Sequence, residues 1–203
     1  MTTGSPAVAQ EFTASRLTPA TWADLEEVFG QPGGGMARGC WCVYYRKDGA
    51  SPSASAENKA ALRELVAEGV TPGLVGYLDG TPAGWISLGP RPEYPRLRRS
   101  PVMKPVDDTE VWSVVCSYVP AAYRGRGVQR QLLAAAIEFA RRRGAAVLEA
   151  YPVDKTDRSQ DNAMFFGSRS LYEGAGFTEV ARRSPTRVVM RLPLVPADPH
   201  GRR

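Results

Sequence analysis

The chain has 203 residues, 43% of them hydrophobic and 23% charged, with 26 Lys and Arg against 21 Asp and Glu, a net charge of +5. That suits one domain with a sizeable core, and the modest positive excess favours anionic ligands without choosing among them. Three cysteines are too few for a disulfide scaffold, and no apolar run approaches the roughly 20 residues of a membrane span.

Structural zinc wants four ligands, and the one histidine, His200, lies in a Pro-rich tail. Cys40-Trp41-Cys42 therefore reads as free thiols, and no metal is expected. The N-terminus lacks the basic start and apolar stretch of a signal peptide, so a cytoplasmic protein with no membrane partner is expected. Residues 1–10 and 193–203 read as flexible tails flanking a single domain over 11–192.

In chain order, Phe12–Leu17 fits a first strand. Thr18-Pro19 reads as an N-cap and first helical residue, with Leu25, Val28 and Phe29 on one face. Gln31–Gly35 breaks that helix, and a second fits Glu57–Glu68. The clearest hairpin runs from Leu74 to Leu88 around Asp79-Gly80. Residues 90–108 read as a long loop rich in proline and arginine. Val111–Val119 is a long β-branched and aromatic strand, and Gly127–Arg143 a helix with Leu132, Leu133, Ala136, Ile137 and Ala140 on its buried face. A strand at Ala146–Tyr151, a helix at Ala163–Glu173 and strands at Phe177–Ala181 and Arg187–Leu192 complete the domain. The expected fold class is a mixed α/β sheet flanked by helices.

The chemistry concentrates in Tyr118-Val-Pro-Ala-Ala-Tyr-Arg-Gly-Arg-Gly-Val-Gln-Arg130. A strand passes through a turn with two glycines directly into an amphipathic helix. Glycine allows close backbone approach, and the first N–H groups of a helix make an anion site suited to phosphate. Arg124, Arg126 and Arg130 surround it. The spacing is neither that of a Walker A loop nor the Rossmann Gly-x-Gly-x-x-Gly. A tight turn with solvated arginines accounts for the same residues equally well.

Tyr123-Arg-Gly-Arg-Gly-Val resembles the Arg/Gln-x-x-Gly-x-Gly/Ala motif of the GNAT superfamily of acetyl-CoA-dependent N-acetyltransferases. Leu171-Tyr-Glu-Gly-Ala-Gly-Phe177 is similar to that family's second signature, Leu-Tyr-x-x-x-Gly-Phe. With the hairpin, the resemblance covers roughly residues 11–192 and implies the family's mostly antiparallel central sheet. It implies that backbone groups of Ser117, Tyr118 and Val119 pair with the pantetheine arm of acetyl-CoA, the co-substrate. The N–H groups of Arg124, Gly125, Arg126, Gly127, Val128 and Gln129 would cradle the pyrophosphate, with Arg130 beside them, and Tyr172 would protonate the leaving thiolate. Two departures stand out. Gln129 replaces the expected glycine or alanine, and Phe165 replaces an asparagine that many members direct at the cofactor, a contact left to Asn162 or Ser168.

Acetyl transfer needs a neutral amine, oxyanion stabilisation and a proton for the thiolate. The strand carrying Val119 can supply an N–H to the oxyanion. As base, Glu110 and Glu149 are the candidates, each with an edge, solvent-facing or salt-bridge role as the alternative, and a water relay serves instead in many cases. Cys116 reads as a small apolar filler. Cys40-Trp-Cys-Val-Tyr-Tyr-Arg46 reads either as an acceptor-stacking cluster or, by preference, as an added strand in the core. Arg91, Arg96, Arg98, Arg99 and Lys104 could meet the 3′-phosphate, an acidic acceptor or water. The expected function is direct acetyl transfer to a primary amine of a small molecule. A non-catalytic acyl-CoA sensor on the same fold is the alternative. A nucleic-acid partner is not expected, and a homodimer is compatible with the sequence.

Overall fold

The computed structural model describes residues 10–48, 54–154 and 165–194. Its elements run β1 (Phe12–Arg16), α1 (Trp22–Gly30), α2 (Gly35–Cys40), α3 (Ser55–Ala67), β2 (Gly73–Leu78), β3 (Thr81–Pro90) and α4 (Pro95–Arg99). Then follow β4 (Trp112–Tyr118), α5 (Val128–Arg142), β5 (Val147–Ala150), α6 (Arg169–Glu173), β6 (Thr178–Ser184) and β7 (Arg187–Pro193). The strands form one sheet in the order β1-β2-β3-β4-β5-β7-β6. Neighbours pair antiparallel except β4 and β5, because α5 carries the chain back across the sheet between them. This is the mixed, mostly antiparallel α/β architecture expected from the sequence.

The hairpin turns on Asp79 and Gly80, both at positive φ (51° and 78°), the pairing a tight two-residue turn requires. The amphipathic stripe of α5 buries Val128, Leu132, Leu133, Ala136, Phe139 and Ala140 against Ile86, Leu88, Val114, Leu148 and Met190. A Cβ at Gly84 would lie 2.8 Å from a Leu132 methyl and 3.2 Å from the Tyr118 carbonyl oxygen, so that glycine lets the helix close on the sheet. On the opposite face α1, α2 and α3 pack around Phe29, Trp41 and Trp85, while α4 contributes Tyr94 and Leu97.

Several expectations change. The segment 40–46 is not an added strand: α2 ends at Cys40, and Trp41 and Cys42 then turn left-handed (φ 47° and 50°). That conformation costs about 1–2 kcal/mol per residue, and aromatic packing offsets it. Trp41 stacks on Trp22 at 5.8 Å and meets Phe29 edge-on at 5.3 Å. The loop 90–108 contains α4 and a 3-10 turn at Arg91–Glu93. In the expected helix Ala163–Glu173, the described part has a 3-10 turn at 165–166 and is α-helical only from Arg169, because Gly167 is at φ 74° and Ser168 is extended. Packing extends to Leu194, which is buried and donates its N–H to the Ala146 carbonyl at 2.8 Å. Asn162, His200 and residues 1–9 and 195–203 lie outside the described residues.

Candidate donor and acceptor site

The two parallel strands part company halfway along. β5 pairs with β4 only where Leu148–Ala150 faces Trp112–Val114. Beyond Ala150 the chain turns to other partners. The Val153 N–H bonds the Gly167 carbonyl at 2.9 Å, and the Arg169 N–H bonds the Val153 carbonyl at 3.0 Å. β4 runs on to Tyr118 with β3 alone beside it among the described residues. Ser87 faces Cys116 and Leu88 faces Val114, so Val115 is an extra residue in β4, and such a bulge deepens the local twist. The free edge at Cys116–Tyr118 can pair with an extended chain carrying amides.

At the end of that edge lies the glycine turn. Gly125 and Gly127 sit at φ 74° and 77°, and Gly127 caps the first turn of α5, which runs to Arg142. A Cβ at Gly125 would meet nothing within 4 Å, and one at Gly127 only the Gln131 amide nitrogen at 4.0 Å. The glycines are thus demanded by the backbone, and the space over them is open for an anion at the helix N-terminus. Arg124 Nε donates to the Val119 carbonyl at 3.1 Å, so that carbonyl is engaged from within the chain. Val128 is buried in the core, whereas Arg126 and Arg130 are exposed beside the turn. A phosphate-bearing donor fits this cradle.

The opposite wall of the gap is Gly167–Tyr172. Tyr172 is buried against Phe177, ring to ring at 5.1 Å, and burial together with the nearby Cys116 thiol holds its hydroxyl well above the usual phenol range. Its proton is therefore retained at neutral pH. The Gln129 side chain crosses from α5 to donate to the Ser117 hydroxyl at 3.0 Å, and lies 3.4 Å from where a Gly167 Cβ would be. Ser168 caps α6, its hydroxyl accepting the Leu171 N–H at 3.3 Å, so its local task is to start the helix. Phe165 turns away and stacks on Tyr118 at 6.4 Å. The Tyr118 hydroxyl is buried with no hydrogen-bond partner among the described residues.

Both carboxylates singled out from sequence stand elsewhere. Glu110 is exposed just before β4, beside Arg91, Asp108 and Gly144. Seven strand residues at about 3.3 Å each separate it from the glycine turn. Glu149 is fully buried and faces Ser113, back from the free edge. It accepts from Arg191 Nε at 2.7 Å and the Tyr151 hydroxyl at 2.8 Å, with Arg91 at 3.6 Å. The salt-bridge alternative is the one its surroundings support. The basic loop is likewise largely engaged internally, with Arg91 on the Thr109 carbonyl and Arg99 on Asp48.

The segment 40–46, for which acceptor stacking was the alternative to an added strand, brings Cys42 and Tyr45 near Cys116. Cys42 is buried, and the neighbouring Cys116 thiol, then burial, push its own thiol up. Trp85 donates its indole N–H to the Cys42 sulfur at 3.2 Å. Tyr45 meets Phe166 at 5.7 Å, and Arg187 lies over the Phe166 ring at 4.5 Å. Burial holds the Tyr45 hydroxyl high, with Arg187, Tyr44, Cys116 and Cys40 as its charged or polar neighbours. No local pattern could have joined these positions, which come from separate segments. Cys40, Cys42 and Cys116 are free thiols, and the described residues hold no group of three or more His, Cys, Asp or Glu placed for a metal. No described helix is long and apolar enough to cross a membrane.

The fold has counterparts among solved structures. An acetyltransferase structure from Salmonella typhimurium (yncA), solved with acetyl-CoA, is 21% identical, covering 94% of this chain and 96% of its own, with a TM-score of 0.52. An N-acetyltransferase from Staphylococcus aureus Mu50 is 16% identical over 91% and 99%, with a TM-score of 0.54. A ribosomal-protein-alanine N-acetyltransferase from Brucella melitensis is 20% identical over 90% and 99%, with a TM-score of 0.51. At these identities the likeness is one of fold, and no curated protein sequence matches. Residues 40–177, however, match the acetyltransferase (GNAT) family over more than half of the chain. The chain belongs to that family, an acyltransferase whose co-substrate is acetyl-CoA.

Proposed function

We propose that this enzyme moves the acetyl group of acetyl-CoA directly onto a primary amine of a small molecule, at the gap between β4 and the segment Gly167–Tyr172. The observation that carries the reading is the free edge of β4 leading straight into the open glycine cradle of α5, with Tyr172 across from it. Backbone groups of Ser117, Tyr118 and Val119 hold the pantetheine arm as an added strand. N–H groups from Arg124 to Gln129 bind the pyrophosphate, and Arg126 and Arg130 add charge.

The amine nitrogen attacks the thioester carbonyl, an N–H of the β4 edge steadies the oxyanion, and the C–S bond then breaks. Tyr172 gives its proton to the departing thiolate. A phenol held above its ordinary pKa is a weak acid, but a thiolate born in the same buried gap is destabilised by the same desolvation, which keeps the two groups matched. With Glu110 exposed before β4 and Glu149 committed to Arg191 and Tyr151, water is assigned to carry off the ammonium proton. The free thiols accord with a cytoplasmic, reducing setting.

The test is calorimetric titration with CoA. Gly127→Val strains a left-handed backbone and fills the cradle, and is expected to weaken binding at least about tenfold, or ~1.4 kcal/mol. Unchanged affinity in a folded variant would remove the cradle from donor binding. Thiol release from acetyl-CoA with a panel of amines then reads turnover.

A further inference from the structure

We infer that the acceptor amine carries a carboxylate, and that Arg187 receives it. This rests on the acetyl-transfer reading above and names the acceptor class for the same gap.

Most arginines near Arg187 are met by carboxylates, and the partly buried Arg183 by the Lys104 and Pro105 carbonyls. Arg91 and Arg191 share Glu149, Arg169 and Arg182 share Asp154, and Arg46 pairs with Glu93. Arg187 has no carboxylate partner among the described residues. Its one hydrogen bond runs from Nη1 to the Tyr151 carbonyl at 2.9 Å, and the Phe166 ring covers one face of the guanidinium. The remaining donors of the planar fork have no partner among the described residues. Burial depresses its pKa, the mark of a charge taken partly out of water without compensation. Such a charge is costly, and a planar guanidinium is shaped to take a carboxylate through two parallel bonds.

Its position ties it to the reaction. Arg187 opens β7 opposite Val153, the residue that carries Gly167 on its backbone. Arg187 lies over the Phe166 ring, which meets Tyr45, and the preceding Phe165 stacks on Tyr118 of the free edge. The cation therefore stands on the Phe166 side of the gap rather than at the phosphate cradle. A polyamine would meet this positive charge with no carboxylate to offset it. An amino acid suits it twice over: the carboxylate pairs with Arg187, and once paired it no longer holds its own ammonium protonated, which eases the loss of the proton that attack requires.

The experiment uses matched products, N-acetyl derivatives of several α-amino acids and of the corresponding decarboxylated amines. Each is titrated by calorimetry into the protein saturated with CoA. The carboxylate-bearing member of at least one pair is expected to bind roughly tenfold or more tightly. Arg187→Gln, which keeps a donor for the Tyr151 carbonyl, should abolish that preference, and Arg187→Lys should retain part of it. CoA affinity should be the same in all three proteins. A carboxylate that gives no advantage in any pair, or a preference that survives in Arg187→Gln, overturns the assignment. Failure of the wild type to bind CoA would overturn the donor reading instead.

Discussion

The two ends of β4 are built on opposite principles. Around Trp112–Val114 the strand is flanked on both sides, and the buried Glu149 beside it is met by Arg191, Tyr151 and Arg91, with Asp107 holding the far side of Arg191. Around Cys116–Tyr118, among the described residues, one edge is free, the Tyr118 hydroxyl is buried without a partner, and the nearby Arg187 has no counter-charge. An unmet buried polar group costs about 1–3 kcal/mol. The closed end therefore stabilises the fold, and the open end leaves its bonding capacity to ligands. Stability and chemistry are separated along a single strand.

Tyr172 offers the strongest test of the open end. Tyr172→Phe keeps the ring that packs on Phe177 and removes one proton. Thermal stability and CoA affinity should survive while kcat falls about 10²–10⁴-fold, the usual worth of general acid catalysis. Wild-type kcat in the stable variant would leave Tyr172 a core residue only.

Glu149 tests the closed end. Glu149→Ala removes an acceptor from Arg191 and Tyr151, which keep Asp107 and Ser113, and takes away the carboxylate beside the largely buried Arg91. It should cost about 3–5 kcal/mol in denaturant unfolding. Calorimetric affinity for CoA should be nearly unchanged. The opposite result, turnover lost in a protein of full stability, would restore Glu149 as the base and erase the division between the two ends.

The smallest effect concerns acid stability. Arg191 holds the carboxyl of Asp107 well below its ordinary range, Arg182 and then Arg169 do so for Asp154, and Arg182 for Glu179. Folded values below unfolded ones mean a contribution that is complete above about pH 4–5 and lost as pH falls through the folded values. These groups are exposed, so salt should shrink the effect further. Melting temperature should stay level from pH 5 to 8 and fall below pH 4. A decline that begins above pH 5 would implicate a different group.

Local sequence was enough for the hairpin, the long strand and α5. A positive-φ turn at Asp79-Gly80, a β-branched run and a stripe of leucines and alanines each declare themselves within a few residues. The glycine turn was legible for the same reason, since strand, glycines and helix start are contiguous. The acceptor side was not. Strict alternation along β4 would send Cys116 to the same face as Val114, but the extra residue Val115 turns it to the other, towards Cys42 and Tyr45. The left-handed pair Trp41 and Cys42 is likewise fixed by Trp22 and Phe29 rather than by its own propensity.

What the sequence by itself determined is therefore the seven strands, their order and the glycine turn before α5, all governed by interactions among near neighbours. Only the tertiary structure decided that Glu149 belongs to Arg191, 42 positions away, that Gln129 reaches Ser117, and that Arg187 stands over Phe166 with no carboxylate partner among the described residues. Those outcomes depend on strand register and on one bulge. In a sheet a shift of a single residue moves a side chain to the opposite face, and nothing local to the chain records which face will be met.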